Sequence, residues 1–338
     1  MSVTFRLLVV IVVIWIAAII FCWWLQRKVL FFPASDMGPY RPDNYQPFYV
    51  DEEGKGHKDP PAGDYIAGWY IPATSESKES GSKLNESKAS GRKLNDLNET
   101  KESGSKLNES KASGKTVFFC HGNTGNIGHR DYVVELCKLF GLGCILFDYS
   151  GYGQSKGSPS MSTLFKDGER AYVYARSIID ADDLIVWGES LGGSVATMIA
   201  SKYRCAYLVL LSTFSSLDDI LLFQGTPYHS LLGWGLRISS NTLRSKDRIL
   251  NVTCPVAIVH SLDDSLIPFA CARALYERVP TNKLLIPIHG GHATPVVSVK
   301  QINELMDFLH VEVRPSVKQL QTALDNIRTA AYRHGLLN

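Results

Sequence analysis

The stretch Gly188-Glu189-Ser190-Leu191-Gly192-Gly193 restricts this chain more than any other. Before it, Leu184-Ile185-Val186-Trp187 is short, apolar and partly β-branched, as a buried strand is. After it, Ser194 to Tyr203 holds small and apolar residues compatible with a helix. A serine on that hinge sits at a sharp strand-to-helix turn, its hydroxyl exposed above a sheet and beside a helix N-terminus. Glycines relieve the close backbone approach such a turn imposes. The pattern predicts a nucleophile elbow, and an elbow needs a sheet.

The rest of the chain supplies one. Strand-like runs at 116–120, 144–148, 206–211, 255–260 and 283–288 alternate with helix-compatible segments, among them 128–140 and 162–179. Such alternation predicts an α/β fold with a mostly parallel central sheet and helices on both faces. Phe48-Tyr49-Val50 and residues 65–71 add two strands ahead of it. The alternation stops between 217 and 252, where Leu221, Leu222, Phe223, Tyr228, Leu231, Leu232, Trp234 and Leu236 predict a short apolar cap over the carboxyl edge of the sheet. Residues 316–333 carry a stripe at Val317, Leu320, Leu324 and Ile327, the mark of a docking helix. An apolar fraction of 45% supports a sizeable core, and a net charge of +2 gives no reason to expect a nucleic acid partner.

Two segments stand apart. Leu7 to Leu25 is uncharged and would span roughly 28 Å as a helix, close to a bilayer core. Trp23 and Trp24 mark one interface, with Arg27 and Lys28 beyond it, and no small-residue cleavage site is present. Residues 1–28 are therefore expected to be a single-pass membrane anchor, followed by a domain made of 29–73 and 116–338. Its sidedness stays open. The Arg and Lys after the span favour a cytosolic domain, while Asn-x-Ser/Thr triplets at Asn85, Asn98, Asn108 and Asn251 favour the other side. Residues 74–115 repeat Lys78–Asn85 at Lys101–Asn108 and lack aromatics, which predicts a disordered low-complexity insertion extending a hairpin between two strands. The seven cysteines form no metal-like group, and Cys120, Cys144 and Cys254 are expected to be buried thiols.

A serine hydroxyl needs a base, and the base needs an orienting carboxylate. In the expected layout these follow the serine in chain order, each at a strand end. After 255–260 come Asp263 and Asp264; after 283–288 come His289 and His292. Asp264 is preferred because it stands just ahead of the next helix entry, and His292 because Gly290-Gly291 lets a loop carry it over Ser190. Asp263 and His289 remain the alternatives. The oxyanion donors are expected from the Leu191 N–H and from the turn His121-Gly122-Asn123-Thr124-Gly125, with Asn123 ahead of Thr124. His121 reads as a loop prop, and Asp148 as structural. No metal or organic cofactor is implied.

Residues His121 to Arg130, the turn from Asp148 to Ser155 and the 188–193 stretch together resemble the membrane-anchored α/β-hydrolase-domain proteins, over roughly residues 1–73 and 116–310. The resemblance implies the α/β-hydrolase fold and a serine hydrolase, with Ser190, Asp264 and His292 at the family's triad positions. Its related branches include protein depalmitoylases and lipases of monoacylglycerols or lysophospholipids. The 74–115 repeat departs from the family pattern. The expected activity is cleavage of a lipidic acyl ester or thioester at a membrane; the rival is a catalytically silent membrane scaffold.

Overall fold

The computed structural model describes residues 30–73, 114–224 and 243–333, with positions 5, 9, 10, 13 and 15–17. Its strands are β1 (Phe32–Pro33), β2 (Gln46–Asp51), β3 (Gly56–His57), β4 (Tyr65–Ile71), β5 (Thr116–Cys120), β6 (Thr124–Gly125), β7 (Gly143–Phe147), β8 (Leu184–Glu189), β9 (Tyr207–Leu211), β10 (Val256–Ser261), β11 (Lys283–Gly291) and β12 (Thr294–Val296). The helices are α1 (Asp131–Leu139), α2 (Met161–Ile178), α3 (Leu191–Lys202), α4 (Leu217–Phe223), α5 (Ser245–Arg248), α6 (Phe269–Arg278), α7 (Val299–Phe308) and α8 (Val317–Arg333).

Ten strands form one sheet in the order β12-β11-β10-β9-β8-β5-β7-β4-β2-β3. The central strands from β11 to β7 are parallel, and both margins are antiparallel. Alternation along β5 shows how the sequence makes two cores. Phe118 and Cys120 face one side, with Tyr172 of α2, Val195 of α3 and Leu275 of α6. Val117 and Phe119 face the other, with Val134 of α1, Met306 of α7 and Leu320 of α8. A strand buried on both faces reads as continuous apolar sequence, which is why these runs were legible.

One expectation changes, and two others fall largely outside the described residues. The strands flanking 74–115 are not hairpin partners, because β7 lies between them, antiparallel to β4 and parallel to β5. Buried along its whole length, β7 needs ladder partners on both edges, so the insertion spans a crossover instead. Residues 74–113 themselves lie outside the described residues. The described part of 217–252 is also less of a roof than expected. Leu243, Ile249 and Val252 are buried in the core, and the Ser245 hydroxyl donates to Ser194 of α3 at 3.1 Å, so this end is packed on the flank of α3. Residues 225–242 lie outside the description. Lastly, most of 1–28 does too, and among the described residues no helix is long and apolar enough to cross a membrane.

Candidate active site

The elbow is built where β8 runs into α3. Ser190 adopts φ 51° and ψ −119°, a left-handed conformation that costs a non-glycine residue about 1–3 kcal/mol. The surroundings hold it there. Its N–H donates to the Leu211 carbonyl at 2.9 Å, and its carbonyl accepts from the Thr213 hydroxyl at 2.6 Å. A Cβ on Gly192 would stand 2.0 Å from the Cys120 carbonyl, so α3 starts this close to β5 only with glycine there. Thr213 had no signal in the sequence; it matters because β9 adjoins β8 in the sheet.

Three side chains distant in sequence meet at the carboxyl edge. Ser190 Oγ lies 3.0 Å from His292 Nε2, and His292 Nδ1 lies 2.7 Å from Asp264 Oδ2. The other Asp264 oxygen accepts the N–H groups of Leu266 at 3.0 Å and Ile267 at 2.8 Å. Burial alone would push the Asp264 carboxyl up. The hydrogen bonds from His292 and from the Ile267 N–H outweigh it and hold the pKa below the ordinary carboxylate range. An ionised Asp264 keeps the proton on Nδ1 and leaves Nε2 free to accept from Ser190. Asp263 and His289 pair with each other instead, at 2.9 Å, with side chains 57% and 70% exposed. That is a surface pair, worth little.

The loop after β5 faces the elbow. His121 Nδ1–H donates to the Gly122 carbonyl at 2.7 Å. In a trans peptide the N–H points opposite its carbonyl, so this bond also orients the Asn123 N–H. Neither the Asn123 nor the Leu191 N–H has a partner among the described residues. Asp148 anchors the same loop by accepting the Ile127 N–H at 2.9 Å. The brace that sequence reasoning missed is β1, which pairs with β6. Phe32 N–H donates to the Asn123 carbonyl at 3.0 Å, Tyr152 hydroxyl to the same atom at 2.8 Å, and Ala34 N–H to Gly125 at 3.3 Å. Phe32 and Ala34 thus form part of the loop's support.

A cavity of about 580 Å³ opens beside Ser190 and His292. Among the described residues, its lining comes from the central strands and the elbow, the loop after β5, α1, the β11–β12 hairpin, α7 and Leu324 of α8; none falls in 217–252. The sequence placed apolar residues in that cap but could not say which face of the sheet would be hollow. In its lining, Tyr132 hydroxyl donates to Glu189, and Arg130 Nε stands 3.7 Å from the same carboxylate. Burial would lower the Arg130 pKa, yet the carboxylate of Glu189 keeps it above the usual arginine range. Arg130 also donates to the Thr124 carbonyl at 2.6 Å, tying the charge pair to the loop.

Beneath the triad, fully buried His260 donates through Nε2 to the Ile267 carbonyl at 2.8 Å, and its Nδ1 has no partner among the described residues. Burial lowers its pKa, against the raising effects of the Ile267 bond and Asp264. The imidazole is neutral in the fold and titrates once unfolded, so its contribution is complete above about pH 6.5 and is lost as pH falls toward the folded value. The thermal midpoint should drop between pH 7 and pH 5. His260→Gln, which keeps a donor for Ile267, should lose less over that interval in a pH series of melting curves.

The family model for the alpha/beta hydrolase fold matches residues 115–228. Alpha/beta hydrolase domain-containing protein 17C of Xenopus tropicalis is 31% identical over 217 residues, covering 59% of this chain and 62% of that protein. Its Homo sapiens counterpart is 30% identical over the same number of residues, covering 59% of each. The chain therefore spans about six-tenths of the length of the curated relatives it matches. Among solved structures, the Pyrococcus furiosus esterase Pf2001 superposes with a TM-score of 0.57 at 16% identity, covering 85% of this chain and 99% of that one. That degree of identity speaks for the fold alone. The relatives named are of the 17C type, and none of these likenesses bears on membrane anchoring.

Proposed function

We propose that this chain, which has the α/β-hydrolase fold, is a serine hydrolase that cleaves acyl ester or thioester bonds through an acyl-enzyme. The observation that carries the reading is the unbroken hydrogen-bonded series Ser190–His292–Asp264 ending on a strained serine. Ser190 Oγ attacks the acyl carbonyl while His292 Nε2 takes its proton, and Asp264 stabilises the imidazolium. The Asn123 and Leu191 N–H groups receive the oxyanion. The tetrahedral intermediate collapses, and His292 returns its proton to the leaving alkoxide or thiolate. Water, deprotonated by the same histidine, then releases the acid and restores Ser190. Nucleophile, base and donors all come from the chain itself.

The reading includes a membrane anchor in residues 1–28. Its support is the uncharged run Leu7 to Leu25 and the exposure of Phe5, Val9, Val10, Val13, Trp15 and Ile16, apolar residues that water does not favour. Six residues lie between Leu25 and Phe32, at most about 25 Å of extended chain. Because Phe32 braces the oxyanion loop, an anchored chain keeps the site near lipid, which fits a lipidic acyl substrate, including an S-acyl chain on a protein cysteine. A silent scaffold would be expected to have lost a triad member; these three remain in hydrogen-bond contact. A fluorophosphonate probe should label the wild-type chain and leave Ser190→Ala unlabelled. Equal labelling of both would remove the mechanism.

A further inference from the structure

Resting on the acyl-enzyme reading, we propose that the 580 Å³ cavity takes the fatty acyl chain of the substrate, and that Leu324 on the C-terminal helix sets how long that chain can be. The volume falls within the ~300–1,000 Å³ of small-molecule sites. Its charged lining residues, Arg130, Asp131 and Glu189, lie at the start of α1 and on the elbow. Its apolar walls include Trp187 and Val259 from the sheet, Val133 and Leu136 from α1, Leu305 from α7 and Leu324 from α8. This interior suits a hydrocarbon chain.

Size and polarity decide which half of the substrate enters. A glycerol or phosphoglycerol leaving group would bring hydroxyls or charge against apolar walls and leave them without partners, which is costly. A protein leaving group is far too large. An acyl chain has neither difficulty, and with its carbonyl at Ser190 it can run along α1 between the sheet and α7. One boundary is α8, which packs against α1, α7 and β12. Leu320 is buried in that seam, while Leu324, one turn on, lines the cavity. The terminal helix, which reads in sequence as a mere docking element, closes the acyl site on the face of the sheet away from α3.

The test compares two ester series on the full chain in detergent micelles. In the first, p-nitrophenyl esters lengthen from acetyl to palmitoyl; in the second, acetate esters carry lengthening alcohols. For wild type, kcat/KM should rise about fourfold per methylene along the acyl series, the ratio that ~0.8 kcal/mol per buried methylene gives, and then level off. Leu324→Trp should lower the palmitoyl-to-acetyl ratio by about tenfold or more, the overpacking being felt only by long chains. Leu324→Ala should move the levelling point to longer chains. Should Leu324→Trp shorten the alcohol series instead, the cavity holds the leaving group and the proposal falls. It falls equally if neither series responds while acetyl esters are still cleaved. A chain that cleaves no ester and takes no fluorophosphonate on Ser190 would defeat the hydrolase reading itself. If Leu324→Trp does not fold, wild type alone decides: a long-alkyl fluorophosphonate should label Ser190 faster than its ethyl analogue, and equal rates would overturn the assignment.

Discussion

Replacing Asp264 by asparagine should lower kcat by about 10⁴-fold, the scale on which a triad fails when its carboxylate becomes an amide. The same change at Asp263 should leave kcat within about twofold, as expected for an exposed ion pair. The contrast follows from the contacts. Asp264 offers one oxygen to two backbone N–H groups and the other to His292 Nδ1. Asparagine has one acceptor oxygen. Leu266 and Ile267 donors will claim it, which turns the amide NH2 toward His292. Nδ1 must then accept, the ring proton moves to Nε2, and Nε2 can no longer take the serine proton. Steady-state kinetics on both variants, with circular dichroism to establish folding, decides the matter. Comparable losses at 263 and 264 would mean that the surface pair Asp263–His289 contributes to the chemistry, and the assignment of roles would have to be redrawn.

Phe32→Pro should cut kcat by about ten- to a hundredfold, somewhat less than outright loss of an oxyanion donor. Proline has no N–H, so the 3.0 Å bond to the Asn123 carbonyl disappears. The loop keeps its Tyr152, Asp148 and Asn126 ties, with Asn126 Nδ2 donating to Ala34 and Asp36 carbonyls at 2.8 Å each, so the domain should still fold. What is lost is the placement of one peptide beside the developing charge. KM should therefore change little while kcat falls. Phe32→Ala provides the control: the ring is 49% exposed and the N–H survives, so its kcat should stay close to wild type. If alanine and proline at position 32 behaved alike, β1 would be a surface strand with no bearing on the site.

These two experiments divide along a line that runs through the whole molecule. Ser190 was legible because a strand, a glycine-flanked turn and a helix are specified within about ten residues, by hydrophobic period and by the glycines that permit close approach. The strands behind Asp264 and His292 were legible for the same reason. Which of two neighbouring aspartates and two nearby histidines would meet was only a preference, since each candidate is a plausible loop residue by itself. The Asp263–His289 pair shows that the rejected residues also find partners. Within 217–252 apolar composition says that a segment is covered, not what covers it; Leu243, Ile249 and Val252 belong to the core.

By itself the sequence determined the type and order of the elements, the elbow, and the strand ends from which the acid and base candidates come. These depend on short-range periodicity and on local steric limits that every chain obeys. Tertiary structure alone decided that Thr213 secures the elbow, that Phe32 braces the loop after β5, and that the hollow lies between α1 and α8. Each of those depends on which strands and helices become neighbours. That choice comes from burying two apolar faces of one sheet at once, a condition on the whole chain that no short window of residues contains.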